Sequence, residues 1–261
     1  MPVRCEIAIA NIPQDQFATL DYLMMRHMFD AQNDIGRLAD ERIYSTDIAD
    51  RIRRSGTICH RETRLELLFE GFQKDLFLDL VVDCRGVYEL KTVSTLTPQH
   101  RAQLMTYLYL LDVEHGKLVN LRSKKVESEF VNATVPRSQR CGFEVDCRRY
   151  QGDETFVDLV VSLLRDWGTC LSVSLYRECV SWLQSRTGSP QSLPLHRNGN
   201  LLGNQRFWLL NDKEAFEFTS FSGADDDYER QLLRLLNLSP LAAIHHVNVD
   251  THNVTFSTIC G

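Results

Sequence analysis

Apolar residues recur at helical spacing between Gln32 and Arg54, where Ile35, Leu38, Ile48 and Ile52 fall on one face and Gly56 follows a basic last turn. Steps of three and four predict one amphipathic helix that stops there. The pattern then changes to short extended runs, 62–70, 75–83 and 87–93, separated by GFQK and CRG. Such runs with turn-forming breaks predict an antiparallel three-stranded meander. Thr97 and Pro98 form an N-cap and first-turn pair, helical apolar spacing follows, and Gly116 stands where a C-cap glycine would. A second helix is predicted, followed by strands at 118–121 and 129–135.

A domain boundary is expected near residue 145, giving units 1–145 and 146–261. In the second, residues 155–167 and 170–186 read as helices divided by Gly168, and SPQSLPLHRNGNLLGNQ reads as a polar loop. Strands at 207–210 and 216–221, a helix at 228–236, and a final strand pair at 243–249 and 254–259 across DTHN complete an α+β unit.

Composition narrows the class. The chain has 261 residues, 43% hydrophobic and 25% charged, with Gly and Pro unenriched, so disordered, collagenous and low-complexity architectures are excluded. No apolar run reaches the roughly 18 residues of a membrane span, and MPVRCEIAIANIP lacks the apolar stretch of a secretory leader, so a cytoplasmic protein is expected. Eight cysteines without a CxxC pair are expected to be reduced thiols in packing roles. Net charge is −6. That excludes a protein that coats nucleic acid through a surplus of Lys and Arg.

Three charges break the apolar pattern of the second and third strands. FLDLVV and VYELKTV are nearly continuous apolar runs, as in strands covered on both faces, yet they contain Asp79, Glu89 and Lys91. A charge buried without a partner costs several kcal/mol, so these side chains need one another, a metal ion or a cleft. With Cys84, Arg85 and Gly86 as a hairpin loop and Gly86 left-handed, Asp79 would lie opposite Lys91 and diagonal to Glu89. Two carboxylates suit a hard divalent cation such as Mg²⁺ or Mn²⁺ whose bound water is a nucleophile, with Lys91 steering it or stabilising phosphate charge. A structural Asp–Lys pair is the alternative at this point. Glu41 joins Ser45, Ile48 and Ile52 on one helix stripe as a third inward carboxylate, and His100, Gln103 and Tyr107 form a hydrogen-bonding stripe on the second helix.

Residues 30–135 resemble the PD-(D/E)XK nuclease superfamily. Asp79 matches its strand-two Asp, Glu89-Leu90-Lys91 its Glu-x-Lys, Glu41 its helix-one Glu, and Gln103 with Tyr107 the Gln-x-x-x-Tyr of RecB-type members. The segment ELKTVSTLTPQHRAQLMTYLYLLDVEHGKLVNL, with Glu41-Arg42-Ile43-Tyr44, is similar to the GxxExxY family, except that the family's glycine falls on Leu38. The resemblance implies an α/β core of helix, three-stranded antiparallel meander, helix and strand in a mixed sheet, carrying a C-terminal α+β domain. It implies a metal-dependent phosphodiesterase acting on nucleic acid, DNA ahead of RNA. Asp79, Glu89 and Glu41 would hold Mg²⁺ or Mn²⁺, Lys91 would be the catalytic cation, and Gln103, Tyr107 and His100 would orient substrate. The rival expectation is an inactive nuclease-fold scaffold that meets a protein partner through its C-terminal domain.

Overall fold

The computed structural model describes residues 3–223 and 225–261. Contacts divide the chain into two units, one running to Leu68 and resuming over Gln73–Pro136, the other made of Phe69–Phe72 and Arg137–Gly261. The change of unit falls at Pro136 and Arg137, ahead of the boundary expected near residue 145.

The first unit is a mixed sheet in the order β1 (Val3–Cys5), β2 (Cys59–Phe69), β3 (Phe72–Val82), β4 (Gly86–Lys91), β5 (His115–Asn120) and β6 (Glu127–Asn132). Its helices are α1 (Gln14–Ile35), α2 (Glu41–Arg54) and α3 (Pro98–Leu111). Strands β3 and β4 pair antiparallel, whereas β4 and β5 run parallel because α3 carries the chain back across the sheet. Alternation assigns the faces. Leu80, Val82, Tyr88 and Leu90 pack in one cluster with Met24 and Met28 of α1 and with Tyr44, Ile48 and Ile52 of α2. The expected order of helix, meander, helix and strand is present as α2, β2–β4, α3 and β5, with additional elements around it.

The single helix expected over 32–54 is two helices. Gly36 ends α1 with φ of 83°, and α2 begins afresh at Glu41 behind its N-cap Asp40. Leu38, read as part of the buried stripe, lies in the connection and is 86% exposed. Gly116 is likewise not a helix cap. Asp112 takes the left-handed C-cap position after α3, and Gly116 lies within β5, where a Cβ would stand 3.0 Å from Leu108 Cδ2 and 3.2 Å from Leu104 Cδ1. Its missing side chain lets helix and sheet approach closely.

The second unit contains α4 (Arg137–Arg140), β7 (Glu144–Arg149), α5 (Glu154–Trp167), α6 (Val173–Ser185), β8 (Gln191–Arg197), β9 (Asn200–Asn211), β10 (Glu214–Thr219), α7 (Asp226–Leu236), β11 (Ala243–Val249) and β12 (Asn253–Cys260). Its strands form a second mixed sheet in the order β7-β12-β11-β10-β9-β8. Phe156 of α5 packs on Phe216 and Phe256, while Leu232 and Leu236 of α7 pack with Ala215, Ile244 and Ile259, which alternation places on the other face. The segment read as a polar loop is the hairpin β8–β9, turned by Asn198 and Gly199 with φ of 52° and 79°. An Asn-Gly pair with positive φ at both residues matches strand twist and closes hairpins readily. Among the described residues, no helix is long and apolar enough to cross a membrane.

Candidate active site

The β3–β4 hairpin sets the site. Its ladder pairs Val82 with Gly86, Val81 with Val87 and Leu80 with Tyr88, so one further step puts Asp79 directly opposite Glu89. The expected register, Asp79 opposite Lys91, is off by two residues. Asp83, Cys84 and Arg85 build the turn. Asp83 and Cys84 each carry φ of 52°, and Arg85 N–H donates to the Val82 carbonyl at 3.0 Å. Gly86, expected in the left-handed position, is a strand residue. A Cβ there would stand 2.8 Å from Leu20 Cδ2 and 2.9 Å from Tyr88 Cε2, which explains the glycine. A slip of two preserves side-chain facing, so Asp79, Glu89 and Lys91 still share one face.

Beyond Leu80 and Tyr88 the regular pairing gives way to side-chain bonds. Leu90 N–H donates to Asp79 Oδ2 at 2.7 Å. Lys91 Nζ donates to Glu89 Oε1 at 2.6 Å and lies 4.0 Å from Glu41 Oε2. Glu41, the first residue of α2, also accepts the main-chain N–H of Thr92, tying the helix start to the segment just past β4. On α3, Gln103 Nε2 donates to the Tyr107 hydroxyl at 3.0 Å. His100 acts locally, where its Nδ1 accepts the Thr97 N–H at 3.1 Å and caps α3.

Electrostatics follows from burial. Glu89 is 1% exposed. Burial first, then the neighbouring Asp79, push its carboxyl up to about 8. Burial also raises Asp79, against the pull of the Leu90 N–H and of Lys91. Glu41 is raised by burial, with Lys91 opposing. For Lys91 burial pulls down, but Glu89, Glu41 and Asp79 together outweigh it and the ammonium is held above its ordinary range. Tyr107 is pushed up to about 12, by burial and then by Glu89.

This oxygen set is chemically suited to a hard divalent ion, because Asp79 and Glu89 offer carboxyl oxygens from facing positions of adjacent strands. Among the described residues, no group of three or more His, Cys, Asp or Glu side chains converges as a ready-made metal cage. The carboxylate pair is in place, while Glu41 is engaged with Lys91 and Thr92.

Two contributors escape the sequence pattern. Asn120, fully buried beside Lys91 in the β4–β5 ladder, accepts Val93 N–H at 3.1 Å and donates to the Val93 carbonyl at 2.9 Å, fixing the chain just past the site. An amide set among Leu118, Val119 and Leu121 is the signal that marks it. Glu62 of β2, with φ of 49°, adds a further negative charge that acts on Asp79. Nothing in its alternating strand pattern distinguishes it.

Residues 18–133 match the family model of the PD-(D/E)XK nuclease superfamily. The matched segment contains Asp79, Glu89, Lys91, Glu41, His100, Gln103 and Tyr107. The mixed α/β architecture of the first unit agrees with that match. No curated protein and no solved structure gives a match.

Proposed function

We propose that the first unit is a divalent-metal-dependent nuclease that hydrolyses phosphodiester bonds of nucleic acid, DNA ahead of RNA, with water as the nucleophile. The observation that carries this reading is the face shared by Asp79, Glu89 and Lys91 on the β3–β4 hairpin, with the Lys91 ammonium 2.6 Å from the buried Glu89. Keeping two acids and a base inside apolar strands costs stability and has no packing rationale. Asp79 and Glu89 are the residues that would hold Mg²⁺ or Mn²⁺, with Glu41 assisting through water. Bound there, the ion would supply Lewis acidity and an acidified water molecule. Lys91 carries a fixed positive charge suited to a phosphate whose charge grows in the transition state. Gln103 and Tyr107 present a paired amide and hydroxyl that orient the site, and His100 holds the start of their helix. The narrower GxxExxY affiliation belongs to this proposal and rests on Glu41, Tyr44, Gln103 and Tyr107. A cytoplasmic setting is part of the same reading.

One observation favours a second reading, an inactive scaffold that acts through a protein partner. Lys91 Nζ already gives Glu89 a hydrogen-bond partner with no metal at all. Incubating wild type and Lys91→Ala with single-stranded and duplex DNA and RNA, in Mn²⁺ or in chelator, separates the two. Metal-dependent cleavage by wild type that Lys91→Ala reduces by about 100-fold or more supports the nuclease. No cleavage, together with no Mn²⁺ binding at millimolar metal, supports the scaffold.

A further inference from the structure

Acidic residues are spread along this chain, 35 in 261, yet none occurs between Glu178 and Asp212. The same stretch carries Arg186, Arg197, Arg206 and His196, and it forms the hairpin β8–β9. Arg186 is engaged, with its guanidinium over the Trp182 ring. Arg197 and Arg206 are exposed, and among the described residues neither forms an ion pair with a carboxylate. What sets the ribbon apart is that two such arginines stand in a stretch with no acidic residue.

The ribbon extends past the β9–β10 ladder. Strand β9 pairs with β10 only from Trp208 onward, so Asn200–Arg206 is bonded to β8 alone. Phe207 and Leu209 anchor its root in the core cluster, Leu193 and Leu195 rest one face of the ribbon against that cluster, and near the tip His196 N–H donates to the Leu238 carbonyl at 2.7 Å. Seven residues at about 3.3 Å each give an arm roughly 20 Å long. The register pairs His196 with Leu201, Pro194 with Asn204 and Ser192 with Arg206, so these residues share the face opposite the one that packs at the root. That face offers Arg206, Asn204 and His196 as hydrogen-bonding groups, and Arg197 pairs with Asn200 at the tip. Leu201 is 63% exposed, an apolar group held out in water.

We infer that the β8–β9 hairpin is a β-ribbon that lays its open face in the major groove of duplex DNA, with Arg206 on that face contacting phosphates or guanine edges and Arg197 at the tip contacting phosphates. The choice of a nucleic-acid partner rests on the nuclease reading. A groove about 12 Å wide admits a two-stranded ribbon, whereas the major groove of duplex RNA is too deep and narrow for side chains to read. Arg and Asn are the side chains that pair bidentately with guanine and adenine edges. A ribbon free of carboxylates meets no repulsion from the polyanion, even on a chain with net charge −6.

Full-length chain carrying Lys91→Ala, which spares the probe, is titrated against a fluorescein-labelled DNA duplex of about 20 base pairs and its RNA counterpart, by anisotropy between about 50 and 200 mM salt. Adding Arg197→Ala and Arg206→Ala should weaken DNA binding about 10-fold and reduce the salt slope by about 2, with an unchanged circular dichroism spectrum. Lysine at both positions should restore most of the salt slope, because the charge returns without the fork. Unchanged DNA affinity in the double alanine variant overturns the ribbon assignment, and so does equal binding of duplex RNA. If wild type still cleaves DNA in Mn²⁺, that failure belongs to the hairpin alone. A chain that neither binds nor cleaves nucleic acid overturns both readings, and the hairpin then fits a protein partner.

Discussion

Leu90 gives its main-chain N–H to the carboxylate of Asp79, 2.7 Å away, in place of a backbone partner on the neighbouring strand. Asp79 therefore has a structural duty beside the chemical one proposed for it. It satisfies a strand amide at the point where the β3–β4 ladder opens.

Asp79→Ala leaves that amide without an acceptor and should lower stability by about 1–3 kcal/mol. Asp79→Asn keeps a carbonyl oxygen in place and should cost clearly less, while metal-dependent cleavage falls in both. Urea unfolding of the two variants checks this. Equal midpoints would show that the Leu90 bond carries no weight.

Glu89 fixes the sign of the pH dependence. Its folded-state carboxyl is raised to about 8 from an ordinary 4.5 by burial and by Asp79, so between these values the folded chain holds a proton that the unfolded chain has lost. Stability of the metal-free protein is full below the unfolded value and declines as pH rises through about 8. Asp79 and Glu41, also raised, add in the same direction. Thermal melts from about pH 5 to 9 in chelator should show the decline, and Glu89→Gln should flatten it. Added Mg²⁺ should offset the loss at the alkaline end.

On the face of the sheet that packs under α1, Lys117 Nζ donates to Asp21 Oδ2 at 2.8 Å and sits 3.5 Å from the Phe130 ring centroid. Both charges are 5% exposed. Lys117→Met should cost about 3–5 kcal/mol by stranding the Asp21 carboxylate, and adding Asp21→Leu should recover much of the loss. A double-mutant cycle in chemical denaturant measures the coupling.

The Tyr44 hydroxyl donates to the Gly36 carbonyl at 2.5 Å, pinning the connection from α1 to the turn that begins with Glu41. Tyr44→Phe keeps the ring in the core and should cost about 1 kcal/mol through the unpaired carbonyl. A denaturation midpoint identical to wild type would remove this role.

The elements that pattern identifies best are those whose packing demands are local. Alternating or continuous apolar runs mark β3 and β4, and Thr97-Pro98 marks the start of α3. Helix α1 carries a buried stripe of Phe17, Asp21, Met24, Met28 and Ala31, but Tyr22, Leu23 and Phe29 on its other face are exposed, which blurs the contrast that periodicity relies on. The break at Gly36 hides inside a continuing apolar rhythm. The β8–β9 hairpin reads as a loop because β9 is exposed from Asn200 to Arg206 and β8 offers only Leu193 and Leu195 to the core, too short an alternation among turn-forming residues. At the site, residue identities and facing are legible because strand parity is robust. The pairing of Asp79 with Glu89 is not, because it depends on Asp83 and Cys84 adopting positive φ in preference to the glycine beside them.

That parity also constrains how the hairpin can drift. A single codon gained or lost between the Asp83 turn and Glu89 would rotate the glutamate and the lysine into the aliphatic layer beneath the first two helices, removing the chemistry and injuring the interior together. Two codons would slide the acids along the ribbon and leave them aimed the same way, so length variation in this stretch is tolerable only in even steps.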